Sequence, residues 1–441
     1  MQTADPQRFF ETDAAQELRE RRSAKSTNKY GDPVHLKSKV LAVIADPKSA
    51  AHVFVAESAG SARRVNVLDE TDNDPKMTVY RGPTAPVTSL ALGGPGEKLL
   101  FAGSWDKTIW SFDRDTHQPV TRYGMAGGLH GGGHTDFVKA VVCGRLGDLH
   151  VLISGGADKK IIVWDVASGK RLHTLQDSGP GAKSKQSMLA VQDLAIDPVA
   201  TTRDEIWLVS ASSDPHIRRW RVQLNGWEQV MEIEGDCRDT TATDRVKQTL
   251  LAHETTVYKV VFDDGNYEGG DGDYGEDVDL WTSSGDGTVK CLSRLHGFQH
   301  KASLGSSSSY HHGGHVRAVA LTDTWVVTAG RDENLQYWDR TGTSEESSAN
   351  TRYASIAGHF DEVTDLVVLS DRRRLCSVSL DGTVRTWPLV KAEIDALVEL
   401  QKKDRDTAVT GAGGDDDAEA QQDGLMTAEE EAELAALMED D

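Results

Sequence analysis

Histidine, a hydroxyl residue and aspartate occur together several times in this chain of 441 residues. The first set is His134, Ser154 and Asp158. In hydrolases, these residue types supply a general base, a nucleophile and an orienting acid. Two further sets are His312, Thr328, Asp332 and His359, Ser377, Asp381. A catalytic constellation should occur once in a chain, so the repetition favours a structural role. We therefore expect no catalytic residue and no enzyme.

Each of these aspartates is predicted to lie in the turn of a β-hairpin. Near Asp158, the apolar run Val151–Ile153 ends at two glycines, and a β-branched run resumes at Ile161 and reaches Trp164. Such runs on both sides of a Gly/Asp turn are typical of a hairpin. Relative to Asp158, the pattern has Ser or Thr at −4, an aliphatic residue at +3 and a large apolar residue at +6. It recurs around Ala62 (with Ser58, Val65 and Leu68), Asp106, Asp214, Asp286, Asp332 and Asp381.

A strand is predicted before each of these hairpins and after the first six of them, so that each of those six units has four strands. The preceding strands are Val40–Val43, Val87–Leu90, Val138–Val141, Val191–Leu194, Val257–Val260, Val316–Val319 and Val363–Leu366. A histidine stands four residues before the first valine in four units, at His134, His253, His312 and His359. The following strands are predicted at Met77–Arg81, Pro119–Tyr123, Arg171–Gln176, Trp227–Ile233, Phe298–Leu304 and Arg352–Ile356.

A Gly-His pair, a gap, an Asp turn and Trp-Asp are the marks of a WD repeat of about 40–45 residues. The sequence resembles the WD-repeat β-propeller family from about Pro33 to Leu389. The resemblance implies an all-β, seven-bladed propeller in which His, Ser or Thr, Asp and Trp of a blade form a structural hydrogen-bonded chain. Three blades match in full, with His134–Ser154–Asp158–Trp164, His312–Thr328–Asp332–Trp338 and His359–Ser377–Asp381–Trp387. The fifth keeps His253, Thr282 and Asp286 but has Leu292 in the Trp position.

The ends of the chain are predicted to differ from the propeller, which should span residues 33–390. Such rings usually close with an N-terminal strand, so we expect Val34–Lys37 to pair with the seventh blade. Residues 1–32 should be a flexible arm, although a partner-binding helix or a weak nuclear-import patch are alternatives. Residues 391–410 should hold a short helix and linker, because Ile394, Leu397 and Val398 have helical spacing.

Residues 411–441 are predicted to be an acidic disordered tail with a short amphipathic helix. Thr427 and Glu430 form a capping box, after which Leu434, Leu437 and Met438 share one helical face. The tail either keeps the protein soluble or acts as a linear motif that folds in the groove of a partner.

Charge and composition narrow the possible partners. The net charge is −22, of which −13 falls in residues 391–441 and −9 in the rest, so one propeller face could still be basic. Net charge alone does not exclude nucleic acid, which we expect only as an indirect partner. No apolar run suits a membrane span and the N-terminus has no leader pattern, so the protein should be soluble, in the nucleus or cytoplasm. Four separated cysteines, without a Cys-x-x-Cys pair, fit a reducing compartment.

No cofactor, metal or small-molecule substrate is predicted. The insertion Asp263–Asp279 holds eight carboxylates, but it lacks the residue order and closing Glu of an EF-hand loop. The chain also has no phosphate-binding loop, no Gly-x-Ser-x-Gly and no zinc-ligand spacing. A solvated acidic loop is the favoured interpretation of the insertion.

Other proteins are the expected partners. The family resemblance implies a docking surface made by residues just before the turn Asp and just after the first valine of each blade. These are Trp105, Arg331 and Leu380 in the first group, and Lys139, Gln192, Tyr258, Arg317 and Thr364 in the second. Trp105 is the best single candidate, because interface hot spots favour Trp.

These residues are compatible with three functions. The first is a non-catalytic scaffold in a multiprotein complex, bound through the propeller face and the C-terminal helix. The second is a subunit of an RNA-processing, ribosome-biogenesis or chromatin complex, which needs a basic patch from Arg218, Arg219, Arg221 or Arg372–Arg374. The third is a substrate receptor of a cullin-type ubiquitin ligase, but neither Trp164-Asp165 nor Trp338-Asp339 continues as Trp-Asp-x-Arg. The sequence favours the scaffold.

Overall fold

The computed structural model describes residues 13–68, 77–125, 132–177, 188–230, 232–234, 245–247, 249–263, 278–300, 309–340 and 352–411. The predicted tail helix with Leu434, Leu437 and Met438 lies outside these residues, as does most of the acidic insertion. Residues Met1–Val398 form one compact unit and Glu399–Asp441 a second. The first unit contains the propeller.

Seven antiparallel blades follow one another along the chain, which confirms the predicted fold class. The innermost strands are Val40–Ala45, Val87–Gly93, Val138–Leu146, Val191–Ile196, Val257–Phe262, Val316–Leu321 and Val363–Val368. The second strands are His52–Glu57, Leu99–Ser104, Leu149–Gly156, Glu205–Ser212, Leu280–Ser284, Trp325–Gly330 and Arg374–Ser379. The third strands are Ser61–Asn66, Ile109–Asp113, Ile161–Asp165, His216–Gln223, Thr288–Ser293, Asn334–Asp339 and Thr383–Pro388.

The outermost strands vary more than the inner ones. They are Met77–Arg81, Pro119–Tyr123, Arg171–Leu175, Gly226–Gln229, Gln299–His300, Arg352–Ala357 and, for the seventh blade, Val34–His35. In blades 4 and 5 a second short segment pairs with the same third strand, Leu250–Leu251 and Ser309–His311 respectively. A separate hairpin joins Glu232–Glu234 to Arg245–Lys247. Two short 3-10 helices span Pro95–Glu97 and Arg294–His296.

The first and last parts of the propeller meet in blade 7. Val34 pairs with Val384 and His35 with Thr383, so an N-terminal strand completes the sheet built by the end of the chain. The guanidinium of Arg385, which is fully buried, donates to Asn28 Oδ1 at 2.8 Å and to the carbonyl of Tyr30. The ring is thereby closed by main-chain pairing and by one buried cation.

The N-terminal segment differs from the flexible arm expected for residues 1–32. Its described part begins with helix α1, Asp13–Ser26. From α1, Arg22 pairs with Asp361 at 2.8 Å and Lys25 with Glu333 at 2.6 Å, so the helix lies against blades 6 and 7. Because its side chains are mostly polar, the helix has no apolar periodicity that would predict its packing. The ion pairs join residues that are far apart in the sequence, so local periodicity does not reveal them.

Helix α2, Lys391–Gly411, is also longer than the short helix expected after the propeller. Its first turns hold Ile394, which is fully buried in the apolar cluster of blades 6 and 7, with Leu397 and Val398 beside it. Further along, Lys402 pairs with Glu399 at 2.6 Å. Pairs three or four residues apart add a few tenths of a kcal/mol to a helix on an exposed face, and the helix continues through the predicted linker. None of the described helices is long and apolar enough to cross a membrane.

The core lies between neighbouring blades. Ile153 and Val163 of blade 3, for example, share one buried cluster with Leu194 and Trp220 of blade 4. A single twisted sheet cannot bury both of its faces, and stacking sheets around a ring solves this for every blade. The arrangement brings all seven innermost strands around one axis.

Each innermost strand carries a β-bulge at its second residue. In blade 3 the register shifts between Val138 and Ala140, which leaves Lys139 out of the ladder. The same shift occurs in the other six blades. We call the seven bulged residues the bulge tier, and they are Leu41, Thr88, Lys139, Gln192, Tyr258, Arg317 and Thr364. A bulge leaves one residue out of the ladder, bends the strand locally and re-aims a side chain.

The hairpin of blade 1 is displaced by three residues from its prediction. The turn is Ser58–Gly60, because Glu57 pairs with Ser61, and its central residue is Ala59 rather than Ala62. Val65, predicted at +3, occupies the buried position of the tryptophans opposite Val53. This blade has neither the turn Asp nor the Trp, so small and aliphatic residues matched the pattern in the wrong register.

Candidate functional site

The His, Ser and Asp side chains singled out from the sequence form buried hydrogen-bonded networks. In blade 3, His134 Nδ1 lies 2.9 Å from Asp158 Oδ1 and Nε2 lies 2.8 Å from Ser154 Oγ. The indole of Trp164 donates to the same serine oxygen at 2.9 Å. Corresponding contacts in blades 6 and 7 span 2.6–2.9 Å and join His312, Thr328, Asp332, Trp338 and His359, Ser377, Asp381, Trp387.

These hydroxyl groups are inaccessible to a substrate. Ser154, Thr328 and Ser377 are completely buried, each between a histidine and a tryptophan. A nucleophile must reach the reacting atom at about 3 Å, and no space is available for that atom. The networks therefore position the backbone instead of performing catalysis.

Blades without the full set use other donors. In blade 5, His253 contacts Asp286 at 2.9 Å and Thr282 at 2.8 Å, and Leu292 supplies no hydrogen bond. In blade 4, the buried guanidinium of Arg218 contacts Asp214 at 3.1 Å, while Trp220 donates to Ser210 at 2.9 Å. An arginine on the third strand here takes the histidine's place beside the turn aspartate.

The turn aspartates hold the loop that leads into each blade. Asp158 accepts the backbone N–H of Thr135 at 2.9 Å, and Asp381 accepts that of Phe360 at 3.2 Å. Burial alone would raise the pKa of Asp158, but the hydrogen bond and charge of His134 outweigh it and the pKa falls below its ordinary range. Burial lowers the pKa of His359 despite the neighbouring Asp381. The carboxylates are thus charged and the buried imidazole is neutral near pH 7.

A cavity of about 350 Å³ lies on the ring axis, because residues from all seven innermost strands line it. The sequence-predicted residues Trp105, Lys139, Gln192, Tyr258, Arg317, Thr364 and Leu380 are all in its lining. Arg331 is exposed on the turn of blade 6 and does not belong to that lining. We call the end of this cavity that contains the bulge tier the channel mouth.

Side chains of the channel mouth form contacts from blade to blade. Lys139 Nζ donates to Gln192 Oε1 at 3.1 Å. The guanidinium of Arg317 lies 4.5 Å from the ring centroid of Tyr258, and its Nε is 3.2 Å from a carboxylate oxygen of Glu362. These contacts hold long side chains in defined positions at an otherwise open surface.

Trp105 extends this surface outward. Its ring stacks on that of Phe137 in blade 3, with centroids 4.9 Å apart and planes inclined by 16°. The two residues remain 40% and 38% exposed. Sequence reasoning missed Phe137, although it directly precedes the first valine of its blade, a position that could have been compared between blades.

One residue further along the inner strands, Asp193, Lys259 and Asp365 form a second charged group. Lys259 Nζ lies 3.1 Å from Asp365 Oδ1. Burial alone would lower the pKa of Lys259, but the carboxylates of Asp365 and Asp193 raise it above its ordinary value. Burial raises the pKa of Asp193. The Asp carboxylates also accept the backbone N–H groups of Val43 and Val260, so they join neighbouring blades.

The arginines considered for a basic patch are largely engaged elsewhere. Arg218 is buried beside Asp214, and Arg221 pairs with Glu205 at 2.6 Å. Arg219 lies over the ring of Phe298 at 4.6 Å, and Arg374 pairs with Asp371 at 3.1 Å. These contacts make those residues poor candidates for a continuous nucleic-acid surface.

A second cavity, of about 890 Å³, lies where the N-terminal segment crosses blades 7 and 1. Its lining mixes Lys29 and Arg374 with Asp32 and Glu393, and it includes Trp387 of the blade 7 network but none of the predicted docking residues. Within the described parts of the chain, no group of three or more His, Cys, Asp or Glu side chains is placed to hold a metal ion. The channel mouth is therefore the better candidate for a functional site.

Seven antiparallel blades around one axis, three of them with the full His–Ser/Thr–Asp–Trp network, make the chain a WD-repeat β-propeller. Residues 74–113 and 350–388 match the WD domain, G-beta repeat. Residues 107–259, which include blades 3 and 4, match the family described as tRNA methyltransferase TRM82 WD40 domain.

Similar proteins cover most of the chain. An uncharacterized WD repeat-containing protein of Schizosaccharomyces pombe is 28% identical over 88% of this chain and 90% of its own length. Nuclear distribution protein nudF of Aspergillus niger is 23% identical over 76% of this chain, but only 57% of nudF is matched. The crystal structure of the WD40 β-propeller domain of Doa1 has a TM-score of 0.54 at 18% identity, covering 82% of this chain and 95% of that chain. The last similarity concerns the fold alone.

Proposed function

We propose that this chain is a non-catalytic subunit that holds a partner protein at the channel mouth. The exposed stack of Trp105 on Phe137 is the observation that carries the proposal. Two aromatic rings in contact at a surface present a rigid apolar area, and binding hot spots favour such residues. The neighbouring bulge tier adds polar and charged groups that can orient a partner. The location of the protein in the nucleus or the cytoplasm remains a prediction.

Affinity purification from native cells with tagged chain tests this docking role. Trp105→Ala should weaken retention of the partner at least about tenfold, because a central aromatic hot spot contributes roughly 2 kcal/mol or more. Leu224→Ala is the matched control, since Leu224 is 52% exposed at the far end of blade 4. Equal retention by the Trp105→Ala variant and the wild-type chain would contradict the proposal, provided that both melt at the same temperature.

The partner is proposed to be the catalytic subunit of a tRNA-modifying methyltransferase. The match of residues 107–259 to the tRNA methyltransferase TRM82 WD40 domain supports this assignment. In such a complex the propeller would contact RNA only through, or together with, the enzyme that it holds. Purified chain should then transfer no methyl group to tRNA by itself.

Methyl transfer from labelled S-adenosylmethionine to total tRNA tests the assignment. Material retained on the tagged wild-type chain should be active, and material retained on the Trp105→Ala variant should lose activity in proportion to the lost partner. A stoichiometric partner without any methyl transfer would leave the docking role intact and overturn the methyltransferase assignment.

The C-terminal residues Leu434, Leu437 and Met438 are proposed as a second docking segment. The test is a chain ending at Gly411, compared with full-length chain in the same purification. Truncation at Lys391 would be unsuitable, because it removes the buried Ile394 and exposes the core of blades 6 and 7. Loss of one partner from the chain ending at Gly411 supports the second segment, and an unchanged partner set contradicts it.

A further inference from the structure

The charge of the bulge tier is unlike that of the propeller as a whole. Its seven side chains include two cations, Lys139 and Arg317, and no carboxylate. They belong to blades 3 and 6, which face each other across the cavity. The next tier, one residue along each strand, contains Asp193, Lys259 and Asp365 and so carries one net negative charge. The net charge of the cavity lining is therefore positive at the channel mouth and negative in the next tier.

The ammonium group of Lys139 donates to the neutral amide of Gln192, and no carboxylate among the described residues forms an ion pair with it. Burial lowers the pKa of Lys139 below its ordinary value, and the positive charge of Arg317 lowers it further. The carboxylate of Asp136 is near enough to raise the pKa of Lys139, but it forms no ion pair with that side chain in the described part of the chain. A half-buried cation next to a second cation is stabilised when an anion approaches.

Arg317 can take part in the same contact. Its Nε lies 3.2 Å from Glu362 Oε1, and its guanidinium lies over the ring of Tyr258. A guanidinium donates along two edges, so the terminal Nη groups can donate to another acceptor while Nε stays paired. The channel mouth thus has two cationic side chains that can donate hydrogen bonds, and the apolar Trp105–Phe137 stack lies beside them.

We infer that the channel mouth binds an acidic side chain of a protein partner, held between Lys139 and Arg317, with an apolar neighbour on the Trp105–Phe137 stack. This inference rests on the proposed docking function. A peptide carboxylate brings one charge on a narrow side chain, which suits a cavity of about 350 Å³ whose deeper wall is acidic. A nucleic-acid strand carries a phosphate at every nucleotide, and several of these would meet Asp136 and Glu362 at the rim as well as the acidic second tier.

Binding of a labelled peptide to the full chain tests this inference. The probe is fluorescein-labelled Gly-Leu-Glu-Glu-Leu-Glu-Gly, followed by fluorescence anisotropy at about 50 mM salt, where a Debye length exceeds 10 Å. We expect it to bind at least tenfold more tightly than the same peptide with Gln in place of Glu. The double variant Lys139→Gln, Arg317→Gln should weaken the acidic peptide at least tenfold.

The control removes two positive charges at the other end of the inner strands. Lys98→Gln with Arg203→Gln changes the net charge equally, and both residues are exposed far from the bulge tier. This variant should alter peptide affinity less than twofold. Equal weakening by both double variants, or no preference for Glu over Gln, would overturn the inference. Tighter, mouth-dependent binding of a twelve-nucleotide oligouridylate would overturn it in favour of phosphate.

Retention of the cellular partner separates this inference from the docking proposal. Loss of the partner in both Trp105→Ala and the mouth double variant supports both. If Trp105→Ala loses the partner while the mouth double variant retains it, docking stands and the acidic contact is wrong. Retention by both variants would overturn both proposals.

Discussion

The indole of Trp387 donates its N–H to Ser377 Oγ over 2.7 Å, at the centre of blade 7. His359 Nε2 lies 2.6 Å from the same oxygen. All three residues are completely buried. One hydroxyl therefore satisfies two ring nitrogens that water cannot reach, and it links the leading loop of the blade to its second and third strands.

Replacing Ser377 with Ala should destabilise the propeller by about 2–4 kcal/mol, because two buried polar groups would each lose a partner at roughly 1–3 kcal/mol. Urea denaturation measures the change in the free energy of unfolding. Ser283→Ala is the matched control, since Ser283 is equally buried but its hydroxyl has no hydrogen-bond partner among the described residues. The control should change stability by less than about 0.5 kcal/mol, and losses of equal size would contradict the role given to Ser377.

Stability should fall as the pH drops below about 6.5, the ordinary pKa of histidine. Burial lowers the pKa of His253 and of His359 in the folded chain. As the pH falls, the unfolded chain therefore binds a proton before the folded chain does. The contribution of each histidine to the free energy of unfolding is complete above pH 6.5, and it is lost as the pH falls towards the pKa of that histidine in the folded chain. Each histidine can add up to about 1.4 kcal/mol per pH unit in that window.

Comparing the free energy of unfolding at pH 7.5 and pH 5.5 tests this pH dependence. The wild-type chain should lose more stability between these values than His359→Gln does, even though that variant is less stable at both. Asp381 does not titrate in this window, because its pKa lies below its ordinary acidic value. Identical losses in the two proteins would show that His359 is not a source of the effect.

Gly358→Ala should destabilise blade 7 by about 1–3 kcal/mol through overpacking. A Cβ at Gly358 would lie 2.3 Å from the Trp387 ring, which is held by its own hydrogen bond. Gly132→Ala is the control, because no atom of the described residues, apart from its chain neighbours, lies within 4 Å of the added carbon. Thermal unfolding of the two variants should separate them by several degrees, and an unchanged midpoint for Gly358→Ala would refute the tight contact.

Lys259→Met should reduce stability by about 1–3 kcal/mol, because Asp193 and Asp365 would lose their shared cation. Removing one partner of a fully buried pair costs roughly 3–5 kcal/mol, and the value is smaller here because the Lys259 side chain is 30% exposed to the channel. Adding Asp365→Asn to Lys259→Met should recover part of the loss. A double variant less stable than Lys259→Met would argue against this pairing.

The blade repeat could be predicted because its markers are local. Asp158, Ser154 and Trp164 lie on one hairpin, so their spacing is fixed by strand pairing and survives in the printed sequence. Blade 1 shows the limit of this signal: without Asp or Trp, the pattern shifted by three residues from Ala59 to Ala62. The bulge at each second residue also left no mark in hydrophobic periodicity, although it decides which side chains reach the channel mouth.

Contacts between distant blades could not be predicted from spacing. Lys259 meets Asp365 across 106 residues, and Arg22 of α1 meets Asp361 across 339. Ion pairs of this kind depend on how the ring places whole blades, which sequence periodicity does not encode. Trp105 was recognised as a surface residue from its place beside the turn aspartate, whereas its contact with Phe137 required knowledge of the neighbouring blade.

The pairing of Val34 with Val384 also constrains when the protein can finish folding. Ribosomes add roughly 5–20 residues per second, so Val34 would wait roughly 20–70 s for its partner strand to be made. During that interval Val34–His35 has no sheet to join, and the first blade lacks its neighbour on one side. Exposed strand edges of this kind invite pairing with other chains, so newly made protein is at its most vulnerable to aggregation just before the last blade leaves the ribosome.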